Sequence, residues 1–589
     1  MNPARSRPWF YQPRWLPNTV ARLCVALTVI ALLAGAGLRV ARLDRVPPGL
    51  HPDEACNGYD AYSILTTGRD HHGDFLPIVF QGFGDFRMAL FNYSLVPLVA
   101  AFGLKTAVVR LGAALWGIVD LTAATLLAGL MLGWPGAAAA ALFCALSPWH
   151  FPMSRYGIEA TAASAVISLA LVCFFLWLRG RRPRWLLLSA AIWGLSFYTY
   201  SITKLFTPLM IALLALLYWR ELKQARSMAL AALGIAVLVV LPQGILFLLH
   251  SGRLALRFTD LSLFGYMAAC PHCDPTLSHL GSDSFINRIE NLGASWISYF
   301  TPAYLFLRGD TGDHWTLYRP PGFGQLLPEE APLIALALLG LAATRRRRIG
   351  LLLIGWLAIA AMPAALVVPL GVWEPGHLVP PEPWVLHQPA YNVPLTPWML
   401  LSHPDSRHDV LAMIPWILLS ALGLTTLLEF SPSMPALTAT MVGLLAAGTI
   451  FHGSRFVRTY FTDYPAIAAP YYQYGIEDTL KAIDQLDDGS EMIVIPRAII
   501  KAPYIYVLFF ERYPPALFQR GPVQTLWSRS GRSSDITGFG RYLFGDPYSA
   551  FARLDHGIFV FTGGDDLRVP VRALIRYPGG SPAYQVVVK

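Results

Sequence analysis

Apolar runs separated by short blocks of basic residues are the dominant pattern of this 589-residue chain. Runs long enough to cross a bilayer read as spans, and arginine-rich turns mark the side retained in the cytoplasm. The first run is Leu23 to Leu38, preceded by Arg5, Arg7, Arg14 and Arg22 and lacking a small-residue cleavage site, so it reads as a retained span. The following runs are 111–133, 137–146, 160–178, 185–200, 205–218, 228–249, 332–343, 349–370, 410–428 and 437–451, for about eleven crossings with the N-terminus inside and the C-terminus outside. Met88 to Gly103 is also apolar, but counting it would invert the arginine turns. It is expected to lie along the outer interface or to re-enter.

Beyond His452 the pattern changes to an amphipathic stretch, Ile476 to Asp488, and then short β-rich runs such as Ile493-Val494-Ile495 and Ile558-Phe559-Val560-Phe561. The expectation is a polytopic α-helical membrane domain over residues 1–452, with outer loops at 43–109, 251–330 and 371–409, and a soluble extracytoplasmic α/β domain over 453–589.

Composition agrees with the pattern: hydrophobic residues make up 55% and charged residues 14%, against about 25% charged in soluble domains. The net charge of +9 sits in the inner turns, so nucleic acid is not an indicated partner. Of the six cysteines, Cys56, Cys270 and Cys273 face outward. The Cys270-Pro271-His272-Cys273 spacing is that of a thiol oxidoreductase, but no βαβ pattern surrounds it, and a local disulfide is the simpler reading.

Costly polar residues gather on the outer side. The stretch from His51-Pro52-Asp53-Glu54 to Asp74 holds two adjacent carboxylates, which suit either a proton acceptor with a helper or merely the first turn of a helix. With it lie Arg39, Arg110, the turn from Ser147 through His150 and Arg155 to Glu159, Lys204, and His403 to His408. Ionisable groups near span ends either snorkel to the interface or face a cavity or a partner, and their gathering on one side of the membrane favours the latter. Guanidinium and ammonium groups suit a lipid phosphate. Trp149, Tyr156, Trp315 and Tyr318 are positioned to stack on sugar or to belong to an ordinary interfacial belt. Asp120, deep in its span, fits neither pattern.

Several of these residues recur together in a known order. Arg39-x-x-Arg42-Leu43, Pro48-Gly49-Leu50-His51-Pro52-Asp53-Glu54-Ala55, Gly68-Arg69-Asp70, Gly73-Asp74-x-Leu76-Pro77, Val109-Arg110-Leu111, Leu146-Ser147-Pro148-Trp149-His150, Ser154-Arg155, Glu159, Ser406-Arg407-His408 and Phe461-x-Asp463-Tyr464-Pro465 resemble the polytopic glycosyltransferases of the GT-C fold. The branch is that of protein O-mannosyltransferases and lipid A aminoarabinose transferases. The resemblance implies inverting transfer of a sugar from a polyprenyl phosphate donor to a lipid, glycan or protein acceptor on the periplasmic face of a bacterial inner membrane. It implies Asp53 as base with Glu54 assisting, and Arg39, Arg110, Arg155 and Lys204 near the donor phosphate. His150, Glu159, Arg87, Arg407 and His408 would contact substrate. Arg87 stands where the family often carries a Lys-Pro-Pro-Leu or His-Pro-Pro-Leu motif, so the acceptor does not carry over. No catalytic metal or cofactor is required by the resemblance. The alternative from another class is a lipid or solute transporter or flippase using Asp53 and Asp120 as ion sites, which predicts an internal repeat that the sequence lacks.

Overall fold

A computed structural model describes residues 17–83, 86–249, 285–310, 318–341, 347–366, 404–429, 433–487, 489, 492–498, 500–527 and 534–589. Cys270, Cys273, Trp315 and His403 lie outside these residues. The protein is a helical membrane bundle followed by a sheet-containing C-terminal region.

Among the described residues, seven helices are long and apolar enough to cross a bilayer: Asn18–Val40, Thr106–Leu132, Ala160–Gly180, Arg226–Leu249, Arg347–Ala365, Val410–Glu429 and Pro435–Thr462. Shorter apolar helices are Ala89–Phe102, Trp134–Leu146, Thr203–Leu217 and Glu330–Gly340. Small residues allow close helix approach at the centre. Gly117, for example, leaves room only for the Ser154 side chain. The last long helix runs on past His452 to Thr462, so the change in composition falls inside a helix.

Asp120, ambiguous from sequence, is hydrogen-bonded within the bundle. Its carboxylate accepts from Ser168 Oγ at 2.7 Å and pairs with His150 Nε2 at 3.2 Å.

Between the first two spans the chain forms the helix Pro52–Thr67 and a small antiparallel pair, β1 (Val79–Gln81) and β2 (Phe86–Met88). The helix Ala89–Phe102 then packs against both Pro52–Thr67 and Thr106–Leu132.

The C-terminal region opens with the helix Ile476–Leu486 and builds one seven-stranded sheet. Its strands are β3 (Ile493–Pro496), β4 (Val523–Trp527), β5 (Ser534–Phe539), β6 (Tyr542–Gly545), β7 (Ile558–Thr562), β8 (Ala573–Arg576) and β9 (Pro582–Val588), in the order β4-β5-β6-β3-β7-β9-β8. β3 runs parallel to β6 and β7, while every other pairing is antiparallel. All four β3 residues are buried, as a central strand covered on both faces requires.

One hydrophobic core joins the two regions. Leu50, Ala55, Cys56 and Tyr59 of the outer loop share it with Ile476, Leu480 and Ile483 of the helix Ile476–Leu486 and with Tyr504, Ile505, Leu508 and Phe509 of the helix Pro503–Phe510.

Candidate active site

His51 starts the helix that carries the two carboxylates. Its backbone is extended, Pro52 takes the first helical position, and its Nδ1 accepts from Asp53 N at 3.2 Å. Glu54 Oε2 reaches back to His51 N at 3.1 Å, completing a capping box with histidine in the place usually held by serine or threonine.

The neighbouring carboxylates then diverge. Glu54 is fully buried and takes four hydrogen bonds: from His51 N, from Gly157 N at 2.9 Å, and from Arg110 Nε and Nη2 at 3.0 Å each. Asp53 keeps 27% of its side chain exposed, and neither of its oxygens accepts a hydrogen bond among the described residues. Its Oδ2 lies 3.5 Å from His51 Nδ1. Of the two, Asp53 alone is placed to meet a substrate.

Several sequence expectations need correction here. Arg110 donates from every N–H it has, to Glu54 and to the carbonyls of Leu43, Pro47 and Gly49, so none is free for phosphate. Arg155, fully buried, donates to the carbonyls of Leu38, Arg39 and Val46 beneath the rings of Phe151, Tyr460 and Phe461. Arg39, also fully buried, holds the carbonyls of Gly35 and Cys144 and touches His150 Nδ1 at 2.8 Å. These three arginines tie down the chain entering the outer loop. His150 is enclosed between Arg39 and Asp120. Arg87 is turned inward, donating to Asn57 Oδ1 at 2.7 Å, to the Asp53 carbonyl at 3.3 Å and to Cys56 Sγ. Glu54 is an anchor, and Trp149 is buried with its indole N–H on the Ser406 carbonyl at 3.1 Å. Glu159 is buried immediately before the helix Ala160–Gly180, and Lys204 is partly exposed in the first turn of Thr203–Leu217.

The groups that do surround Asp53 come from five distant segments. Tyr156 OH donates to His51 Nδ1 at 2.8 Å, and its ring lies 5.7 Å from Tyr318 and 5.9 Å from Tyr472. Arg407 stacks over Tyr318 at 6.0 Å and leaves Nε without a partner. His408 pairs with Asp405 at 3.6 Å beside it. Lys501, an exposed residue two positions before the helix Pro503–Phe510, contributes positive field at both His51 and Asp53.

The electrostatics follow from this setting. Burial pushes the Asp53 carboxyl up, but His51, Arg87, Lys501 and Arg407 together outweigh it and bring it down to about 2. Burial lowers His51 to about 4, helped by Lys501 and Arg407 and opposed by Asp53 and Glu54. At neutral pH the pair is therefore a carboxylate and a neutral imidazole whose Nδ1 accepts two hydrogen bonds.

Residues 90–245 match the family model described as dolichyl-phosphate-mannose-protein mannosyltransferase. This segment, about a quarter of the chain, is similar to these enzymes. The matched segment holds Arg110, His150, Arg155, Glu159 and Lys204, and begins after Asp53. Among solved structures, the chain is similar to ArnT from Cupriavidus metallidurans bound to undecaprenyl phosphate, at 12% identity and TM-score 0.49, covering 97% of this chain and 98% of that one. It is also similar to the oligosaccharyltransferase AglB from Archaeoglobus fulgidus in complex with an inhibitory peptide and a dolichol-phosphate, at 13% identity and TM-score 0.47, covering 85% of this chain and 65% of that one. No curated protein matches the sequence. The family match supports a glycosyltransferase of the kind that uses a lipid-phosphate-linked sugar.

Proposed function

We propose that the protein moves a sugar from a polyprenyl phosphate carrier to a hydroxyl acceptor on the extracytoplasmic face of a bacterial inner membrane, with Asp53 as the base. The observation that carries this reading is the divergence of the two adjacent carboxylates. Glu54 is locked by four N–H groups, while Asp53 is open, ionised and ringed by cationic and aromatic side chains.

The reaction this favours is a single displacement. The acceptor oxygen attacks the anomeric carbon, the bond from that carbon to the phosphate oxygen breaks, and the phosphate leaves with the electron pair. The acceptor proton passes to Asp53 as the new bond forms. With Glu54 fully engaged by four N–H groups, the adjacent carboxylate is not available as a covalent nucleophile, which favours inversion. A carboxyl held near 2 is a weak base for a free alcohol, but an alcohol already bonding to an electron-poor carbon is a strong acid, and proton transfer then runs downhill.

Arg407 and Lys501 are the cations we assign to the donor phosphate, because both bear on the Asp53 charge, Arg407 Nε has no hydrogen-bond partner and Lys501 is exposed. Tyr156 and Tyr318 offer ring faces for the sugar, with His408 at their margin. The region over residues 453–589 is in this reading an extracytoplasmic domain that closes one side of the site.

The test compares envelope glycans and glycoproteins by mass spectrometry in cells with the wild-type protein, without it, and with Asp53→Asn at equal protein level. One sugar addition should vanish in both the null and the Asp53→Asn cells while its polyprenyl phosphate donor accumulates. An Asp53→Asn strain with wild-type glycans would overturn the assignment of the base.

A further inference from the structure

A second cluster lies one turn along the same helix, on the face that meets Arg87 and the 69–74 loop. Cys56 and Asp60 are four residues apart on Pro52–Thr67 and so share a face, and His71 returns to it after Gly68 ends the helix in the left-handed conformation. One ligand atom from each, the Cys56 sulfur, an Asp60 oxygen and a His71 ring nitrogen, lies within 4.8 Å of the other two. Cys56 and Asp60 are completely buried and His71 is 1% exposed. Asp60 Oδ1 lies 2.6 Å from His71 Nδ1, and Asp60 Oδ2 lies 3.7 Å from Cys56 Sγ.

We propose that Cys56, Asp60 and His71 bind a divalent transition metal of the zinc class, as a structural site that fastens the 69–74 loop to the carboxylate-bearing helix. Thiolate, carboxylate and imidazole are the donor types zinc takes, at about 2.0–2.3 Å, so a tetrahedral shell sets ligand atoms about 3.3–3.7 Å apart. The 3.7 Å between Cys56 Sγ and Asp60 Oδ2 already matches, and the 2.6 Å Asp60–His71 contact must open. Binding requires that Asp60 exchange its hydrogen bonds with His71 and Cys56 for the metal and that the Cys56 thiol release its proton to solvent.

Two further observations point to a cation. The buried His71 Nε2 has no hydrogen-bond partner, and next to His71 in sequence the buried Asp70, outside the three-residue cluster, keeps Oδ2 without one. Arg87 directs Nη2 at the Cys56 sulfur, as an N–H donor does toward a metal-bound thiolate in the shell behind the ligands. With Cys56 ionised, the charge of thiolate and Asp60 equals that of one divalent ion.

The site also sits beneath the C-terminal region. The His71 ring lies 6.3 Å from Tyr504 and 6.4 Å from Phe518, and Gln519 donates to the Asp70 carbonyl at 2.8 Å. Metal release would therefore loosen the contact between that region and the loop, independently of whether Asp53 is a base.

The test uses the full-length protein purified in detergent. Zinc is measured by elemental analysis after extensive dialysis, and cobalt is then exchanged in and its absorption recorded. A stoichiometric amount of metal and a thiolate-to-cobalt charge-transfer band are expected in the wild type, with the band lost in Cys56→Ser and metal retention lost in Asp60→Asn. Wild-type protein that neither retains zinc nor shows the band with cobalt would overturn the site and leave Arg87, Cys56, Asp60 and His71 as a hydrogen-bond network only. Because the wild-type spectrum decides the matter, a variant that fails to fold does not blunt the test.

Discussion

Arg110 grips Glu54 with two parallel hydrogen bonds, Nε to Oε1 and Nη2 to Oε2, each 3.0 Å long and both completely buried. This pair, with the carbonyls of Leu43, Pro47 and Gly49 on the same guanidinium, sets the position of Asp53 one residue away.

Breaking the pair should therefore damage folding before chemistry. Removing one partner of a buried bidentate pair leaves the other charge uncompensated, at a cost of about 3–5 kcal/mol. Glu54→Gln and Arg110→Met are expected to lower the unfolding temperature and the amount of protein recovered from membranes. Asp53→Asn is expected to keep both at wild-type level while reducing sugar transfer by about 10²–10⁴-fold. Equal losses of stability in Asp53→Asn and Glu54→Gln would show that the two carboxylates have not been told apart.

The two cations assigned to the phosphate should act on binding. Lys501→Gln and Arg407→Gln are expected to raise KM for the lipid-linked donor by about tenfold or more, as loss of a charge-assisted hydrogen bond does, with unfolding temperature unchanged for the exposed Lys501. Steady-state kinetics in detergent with varied donor check this. Arg155→Gln, by contrast, should reduce the yield of folded protein, since its guanidinium holds three backbone carbonyls.

Acid should destabilise the protein through His51. Its folded value, about 4, lies below the ordinary value near 6.5, so the folded state prefers the neutral ring. That contribution is complete above about pH 6.5 and is lost as pH falls toward 4, by up to about 3 kcal/mol. Unfolding temperatures measured across that range should fall more steeply for wild type than for His51→Gln. Asp53, near 2, stays ionised throughout, so the acid side of a rate profile in this range should not be set by it.

Gly157 is a steric test of the same anchor. A Cβ there would meet Val109 Cγ1 at 2.7 Å and Glu54 Oε1 at 3.2 Å. Gly157→Ala is expected to cost about 1–3 kcal/mol by overpacking, read as a lowered unfolding temperature. Gly73→Ala is a poor control because its backbone is left-handed; Gly37→Ala, with open space around the added methyl, should be neutral.

Much of the architecture was legible in the apolar pattern. Each run read as a crossing contains a helix, and the β-rich tail forms a sheet, because span length and alternation are local properties. At the site, legibility stopped where partners are far apart in sequence. His51, Pro52 and Glu54 carried the signal of a helix start, with the acid three residues after the cap, and Glu54 does serve it. Nothing local showed that Arg110 would take the same acid from 56 residues away, or that backbone carbonyls would absorb three arginines. Lys501 carried no motif and reaches Asp53 only because the helix that follows it packs on Pro52–Thr67.

That packing has a consequence for how the chain is made. Tyr59 OH donates to the carbonyl of Tyr513, 454 residues later, and Tyr506 OH donates to the Leu50 carbonyl across 456. Contacts of such long sequence separation form late, after the intervening chain has been ordered. The helix bearing Asp53 emerges early in synthesis yet obtains its outer cover only when residues 503–519 arrive, so a chain that stops short of them leaves that helix uncovered. The order of synthesis thus couples the finish of the Asp53 helix to the completion of the region that follows the membrane bundle.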